Sequence, residues 1–378
     1  MEKKRRNFCR FATFNVSLAR QEMGALLREL ETPQHEQLQK LAAIIQWIRP
    51  DVLLLQEIDY DEKGRALSLF NQHYLNHSQY QQSPIDYPYQ CVFPSNTGIA
   101  VDYPPEEKLA GELYYPTFGF GHFAGQYAFA LLSKYPLLTR QQRRFQYFLW
   151  RDMPEPLLPT INDSDKAAFF TQKLWPRFRL SSKNHVDIPV VLPCRTVHLL
   201  LSHPTPPLSH VLSPAFNACR NHDEIRLWHD YLLPERSGYL YDDQGTYGGL
   251  LAGESAVIMG DLNADPNAGD GIRRGIRALL QHPRLHAEVA TGRWIPRSRG
   301  GQTHAAQRSS LPFSRLYFAR AHTASWGLRA DYVLPSDDLS VRASGVFWPT
   351  LDQAEFAWVA HDVSSDHRLV WVDVLDCV

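Results

Sequence analysis

Short, largely apolar runs, most of them halted by a polar residue, punctuate this chain from end to end. Residues 11–14 stop at Asn15, 52–55 at Gln56 and Glu57, 197–201 at Ser202 and His203, and 256–259 at Gly260 and Asp261. Residues 127–132 stop at Lys134, Tyr135 and Pro136, and 332–334 and 369–374 are further runs of this kind. Such runs predict strands, and the unbroken Val52–Leu55 in particular predicts one covered on both faces. A helix is predicted over 33–48: Leu38, Leu41, Ala42, Ile45 and Ile48 share one face, Thr32 suits the N-cap and Pro33 the first turn, and Pro50 ends it. Asn221 followed three residues later by Glu224 resembles a capping box and predicts a second helix with Ile225, Trp228 and Leu232 on one side.

The remaining stretches, about 60–125, 140–189 and 204–250, are polar or turn-rich and read as loop insertions in one domain spanning 1–378. No repeat with a period of 20–50 residues and no low-complexity tract is present.

The direction of the strands follows from where the polar residues fall. Asn15, Glu57, His203, Asp261 and Asn263 come just after predicted strands, whereas Asp331, Asp366 and His367 come just before them. One rim can collect both sets only if strands run both ways, so mixed or antiparallel sheets are expected and a purely parallel, doubly wound fold is not.

Composition narrows the class. With 44% hydrophobic and 21% charged residues over 378 positions, a sizeable core can form. The net charge of −1 weighs mildly against a non-specific nucleic-acid binder, whose affinity rests on phosphate contacts. The 5 cysteines (Cys9, Cys91, Cys194, Cys219 and Cys377) are scattered with no C-x-x-C spacing, which argues against a zinc site or a disulfide framework, with a pair such as Cys194 and Cys219 left open. Residues 1–6 are basic, but no apolar core of a signal peptide follows and no run approaches the length that spans a bilayer. The sequence as it stands reads as a soluble, cytoplasmic monomer, or as a secreted one if a leader was removed.

Three segments carry chemistry. In Gly260-Asp261-Leu262-Asn263 the two polar side chains, two apart, can point the same way; a carboxylate there can take a proton from water or hold a metal, and the amide can donate to a phosphoryl oxygen. An Asx-turn is the alternative for the same residues. Asp366-His367 offers a metal ligand beside an imidazole, or a surface turn. Glu57, leaving a buried strand, needs a partner, either a hard cation or an arginine elsewhere in the chain.

Asn15 in Phe14-Asn15-Val16, Gln56-Glu57, Ser202-His203-Pro204, Gly260-Asp261-Leu262-Asn263, Arg329-Ala330-Asp331-Tyr332-Val333 and Ser365-Asp366-His367 together resemble the ordered motifs of the endonuclease/exonuclease/phosphatase superfamily. The stretch from Phe118 through Gln126-Tyr127 to Pro136 is similar to a bacterial branch of that superfamily. The resemblance implies a DNase-I-like, four-layer α/β/β/α sandwich: two mixed sheets packed face to face with helices outside. It also implies hydrolysis of phosphoric mono- or diesters with Mg²⁺, Mn²⁺ being the alternative ion. By position it implies that Glu57 binds the metal, with Asp366 sharing the ion or its waters, and that Asn15 orients that carboxylate or the phosphate. Asp261 would position and deprotonate the attacking water, and Asn263 would hold a phosphoryl oxygen. His367, oriented by Asp331, would stabilise the phosphorane-like charge. His203 would donate to a phosphate oxygen or to the leaving group.

Other signals fail their context. Gly119-x-Gly121-x-x-x-Gly125 leads into a strand-like run, not the helix a dinucleotide loop requires. Asp261-x-Asn263-x-Asp265 places Pro266 where a calcium loop needs glycine. No G-x-S-x-G elbow or P-loop occurs. Arg220, Asn221, His222 and Asp223, and likewise Arg179 with Ser181, Ser182 and Lys183, could read a head group but are read as a capped helix start and a solvated loop. Two rival functions stand beside the phosphoesterase: a DNA or RNA nuclease, disfavoured by the net charge, and a catalytically silent binding module. The second is disfavoured because Glu57, Asp261, Asn263, Asp331, Asp366 and His367 are all retained.

Overall fold

The computed structural model describes residues 7–102 and 117–376. Its strands are β1 (Phe8–Leu18), β2 (Val52–Ile58), β3 (Tyr89–Val92), β4 (Ala128–Ser133), β5 (Arg143–Arg144), β6 (His185–Val191), β7 (Thr196–Ser202), β8 (Ser255–Asp261), β9 (Asp331–Pro335), β10 (Val341–Val346) and β11 (Val370–Leu375). Its α-helices are α1 (Ala25–Glu31), α2 (Glu36–Ile48), α3 (Arg65–Phe70), α4 (Ser164–Phe169), α5 (Phe216–Tyr231), α6 (Arg273–Leu280), α7 (Ala287–Ala290) and α8 (Arg299–Gln307).

The strands form two mixed sheets, in the orders β10-β11-β1-β2-β4-β3 and β5-β6-β7-β8-β9. Each sheet is built around one parallel pair, β1 with β2 and β7 with β8, flanked by antiparallel neighbours. A parallel pair needs a crossover: α1 and α2 supply it in the first sheet and α5 in the second. The sheets face one another through β1 and β8. Leu53, Leu54, Leu55, Leu199, Leu200 and Leu201 are fully buried although neighbours along a strand point to opposite faces, so each sheet is covered on its outer side as well. This is the four-layer α/β/β/α sandwich with strands running both ways.

Several local expectations shift. The predicted 33–48 helix begins at Glu36, and Thr32 instead terminates α1, a short helix that buries Leu26 and Leu30 and is not among those predicted. The chain leaves α2 through Arg49 in the left-handed region, one residue before Pro50. The stretch 60–125 contains α3 and β3, with 103–116 outside the described residues, and 140–189 contains β5, α4 and the start of β6. The region 204–250 contains the whole of α5, which starts at Phe216, so Asn221 lies inside the helix and does not cap it. Cys219 carries a free, buried thiol and is not paired with Cys194.

The reason Asn221 misleads is chemical. Arg220, Asn221, His222, Asp223 and Glu224 are five consecutive polar residues, all buried. Arg220 donates to the carbonyls of Arg179 and Leu180, Asn221 to those of Thr205 and Leu262, and Asp223 accepts from Trp150 Nε1 and Leu157 N. Glu224 accepts from the backbone N–H groups of Ser182 (2.6 Å) and Thr205 (2.7 Å). A helix that looks too polar to be buried is buried because residues 150, 157, 179–182, 205 and 262 satisfy it.

Candidate active site

The rim where β1, β2, β7 and β8 end carries an unusual backbone. Ser17 (φ 49°), Glu57 (φ 58°), Tyr127 (φ 57°) and Asn263 (φ 50°) occupy the left-handed region without being glycine. Register shifts in the β1–β2 and β2–β4 ladders fall at the same places. Bulges of this kind re-aim side chains at sheet ends, and strain of this kind is retained where a site needs it. Gly260 meets a different need: a Cβ there would run into the Ser202 carbonyl oxygen of the adjacent parallel strand.

The re-aimed side chains converge on one cleft of about 920 Å³, whose lining includes Glu57, His203, Asp261, Asn263, Asp366 and His367. Asn15 and Asp331 lie beneath it, fully buried. Asn15 Nδ2 donates to Glu57 Oε1 (3.0 Å) and to Asp261 Oδ2 (3.1 Å), bridging the two sheets. Asp331 Oδ2 accepts from His367 Nδ1 at 2.8 Å and from Thr323 Oγ1 at 2.6 Å. The other ring nitrogen, His367 Nε2, faces Asp261 Oδ2 at 3.6 Å, and His203 Nε2 faces the same oxygen at 3.3 Å. Trp326 packs edge-on against the His367 ring, with centroids 4.7 Å apart.

Asp261 is therefore a buried carboxylate at the centre of donors. Burial alone would raise its pKa, but His367, His203 and the Asn263 backbone N–H hold it well below the usual carboxylate range. His367 is shifted the other way: burial opposes its charge, yet the Asp331 and Asp261 carboxylates hold it protonated up to about pH 10. Burial and the nearby Lys183 ammonium push His203 down, so at neutral pH its ring is neutral. Asn263 makes the Asx-turn and faces the cleft at once: its N–H donates to Asp261 Oδ1 (2.9 Å) and its amide to the Pro204 carbonyl (3.0 Å).

Asp261, Asp331 and His367 offer ligand atoms within 4.8 Å of one another. The His367 ring stands between two carboxylates, hydrogen-bonded to Asp331 and in ionic contact with Asp261, an arrangement that accounts for the cluster without an ion. Glu57 and Asp366 differ. Each spends one oxygen, on Asn15 Nδ2 and on Ser17 Oγ (3.0 Å) respectively. Among the described residues the second oxygen of each has no hydrogen-bond partner, and no Lys, Arg or His nitrogen lies within 4 Å of either carboxylate. The arginine partner that sequence left open for Glu57 is absent among the described residues. Two hard oxygen donors at one cleft, neither with a basic nitrogen within 4 Å among the described residues, fit a divalent cation that keeps most of its waters.

Ser17, Thr323, Trp326 and Lys183 were not singled out as site residues from sequence. Lys183, set aside as part of a solvated loop, is buried on the cleft wall. Its Nζ reaches only the Pro204 carbonyl at 3.5 Å, with no carboxylate within 4 Å among the described residues. Burial pushes its ammonium down against the pull of Glu224, Glu57 and Asp261. Its place beside His203 in space, twenty positions away in the chain, is set by the β6–β7 hairpin, which pairs His185 with Ser202.

No curated protein matches the sequence. Among solved structures, an endonuclease/exonuclease/phosphatase from Beutenbergia cavernae DSM 12333 is similar at 15% identity over 98% of this chain and 72% of that one, with a TM-score of 0.53. An endonuclease/exonuclease/phosphatase family protein from Leptotrichia buccalis C-1013-b matches at 12% identity over 97% and 99%, TM-score 0.49. The human Nocturnin catalytic domain matches at 16% over 97% and 93%, TM-score 0.46. The sequence profile of the Endonuclease/Exonuclease/phosphatase family matches residues 12–367, nearly the whole chain, and the protein belongs to that family.

Proposed function

We propose that the protein hydrolyses a phosphoric ester by in-line attack of water with the help of a divalent cation, Mg²⁺ or Mn²⁺. The observation that carries this reading is Asp261, an anion kept ionised by His367 and His203 at the floor of the cleft. Glu57 and Asp366 would hold the cation, which when bound neutralises phosphate charge. Asp261 Oδ2 orients the attacking water and receives its proton as the bond to phosphorus forms. The His367 imidazolium, fixed by Asp331, balances charge that builds on the phosphoryl oxygens. Asn263 and Lys183 offer donors to those oxygens, and His203, on the same cleft, would pass a proton to the leaving ester oxygen as its bond to phosphorus breaks. The cleft lining includes six large apolar side chains (Phe120, Phe178, Leu208, Val211, Trp326 and Leu328). That lining suits a small ester with an apolar or aromatic substituent better than a polynucleotide.

The test is hydrolysis of bis-(p-nitrophenyl) phosphate and p-nitrophenyl phosphate with Mg²⁺, with Mn²⁺ and with EDTA, beside the Glu57→Ala and Asp261→Asn proteins. Metal-dependent turnover lost in both variants is expected, and the ratio between substrates separates diesterase from monoesterase. Turnover unchanged in Asp261→Asn would remove the proposed general base.

A further inference from the structure

Between Glu288 and Asp331 the chain carries no acidic residue and seven arginines: Arg293, Arg297, Arg299, Arg308, Arg315, Arg320 and Arg329. In a chain of net charge −1 this is a marked local excess. Among the described residues, no carboxylate lies within 4 Å of Arg297, Arg299, Arg308, Arg315 or Arg320, so none of the five is closely ion-paired there.

The same stretch exposes its largest apolar side chains. Leu311, Phe313, Tyr317 and Phe318 are 53%, 47%, 52% and 60% exposed, while Leu316 and Ala319 face inward and hold the 3₁₀ turns of 313–321 on the body. The segment is anchored: Ser298 N donates to the Arg320 carbonyl and Gln302 Nε2 to that of Phe313. The guanidinium groups of Arg297 and Arg320 lie over the Tyr317 ring, 5.6 and 5.2 Å from its centroid.

The segment is also wired to the cleft. His304 and Arg308, at the end of α8, both donate to the Ser325 carbonyl, and Ser325 N donates to the Asp366 carbonyl. The next residue, Trp326, is the cleft wall that packs on His367.

We propose that residues 299–320 form a docking surface for an anionic lipid bilayer, with Leu311, Phe313, Tyr317 and Phe318 entering the headgroup region and the arginines ringing them at the phosphates. Apolar side chains at the centre and arginines at the margin are what an interface between water and lipid selects. A nucleic acid would use the charge, but Leu311 has no ring face to stack on a base, and the Tyr317 ring is already met by the guanidinium groups of Arg297 and Arg320. Docking would present the cleft mouth, through Trp326, to the bilayer surface. The inference does not depend on the proposed catalytic activity.

The test is flotation of the full chain with vesicles of phosphatidylcholine alone and of phosphatidylcholine mixed with phosphatidylglycerol. Flotation with the anionic vesicles only, weakened by high salt, is expected. The Phe313→Ser/Phe318→Ser and Arg299→Glu/Arg315→Glu proteins should each partition at least about tenfold less, with circular dichroism unchanged. The proposal is overturned if the wild type ignores the anionic vesicles, if it floats equally with neutral ones, or if both double variants float as the wild type does. Tight binding of a single-stranded oligonucleotide without vesicle binding would overturn it in favour of nucleic acid.

Discussion

The Asn15 amide nitrogen lies 3.1 Å from Asp261 Oδ2, a hydrogen bond between the central strand of one sheet and the end of a strand in the other. With its 3.0 Å bond to Glu57, the same NH₂ group holds two carboxylates at one address. Asn15→Ala should leave those carboxylates facing each other without a shared donor. Turnover is expected to fall by about 100-fold with the circular dichroism spectrum intact; wild-type rates in a steady-state assay would remove Asn15 from the site.

His367 depends on Asp331 for its proton. With the pKa raised to about 10, the imidazolium persists through neutral pH and is lost as pH climbs toward that value. Turnover should therefore hold into the alkaline range and then decline. Asp331→Asn removes the nearest carboxylate, so the alkaline limb should move to lower pH and the rate should drop by roughly 10³. A pH–rate profile of both proteins checks this, and an unmoved limb would assign the limb to another group.

How much of this site the sequence disclosed depends on the kind of signal. Asn15, Glu57, His203, Asp261 and His367 were legible because each interrupts or flanks an apolar run, and a strand end is where a buried sheet meets solvent. Ser17 and Thr323 were not: a hydroxyl in a polar stretch looks like any other, and its partner, Asp366 or Asp331, is set by tertiary distance. The elements β3 and β6 went unread because Tyr89–Val92 is a half-exposed edge and His185–Val191 contains Asp187 and Pro189. For α5, the polar run 220–224 mimics a helix start; only the loops that satisfy it reveal an interior.

Glu224 gives a stability prediction. Its two oxygens accept the Ser182 and Thr205 N–H groups, and truncation would leave both donors buried and unpaired. Glu224→Ala should cost about 3 kcal/mol or more, read from the urea midpoint. Because those loops carry Lys183 and His203 into the cleft, turnover should fall as well.

His185 sets an acid limit. Burial pushes its pKa down to about 4, its ring being held between Ser181 Oγ and the Glu224 carbonyl. The unfolded imidazole binds a proton below about pH 6.5 whereas the folded one resists until about 4, so the unfolded state binds more protons in that window. Stability present above pH 6.5 is thus lost as pH falls toward 4, by up to about 3 kcal/mol from this residue. Urea midpoints should decline over that range in the wild type and less steeply in His185→Gln; equal slopes would exclude His185 as the source.

Lys183→Met should weaken turnover and substrate binding together, since a cation buried without a carboxylate partner is stabilised when an anion enters the cleft. Initial rates over a substrate series check this, and a change confined to thermal stability would make the lysine structural.

The cross-sheet bond from Asn15 has a wider meaning. Glu57 rides on one sheet, Asp261 and Asp331 on the other, and at the rim Asn15, beside Glu57 on the first sheet, reaches across to Asp261 by a single side-chain hydrogen bond. Sliding of the halves by the length of one such bond would leave every strand and helix in place while dismantling the cleft floor. The proposed activity is thus a gauge of alignment between the two halves, and on gentle denaturation it should fade while the spectroscopic signature of folded backbone is still complete.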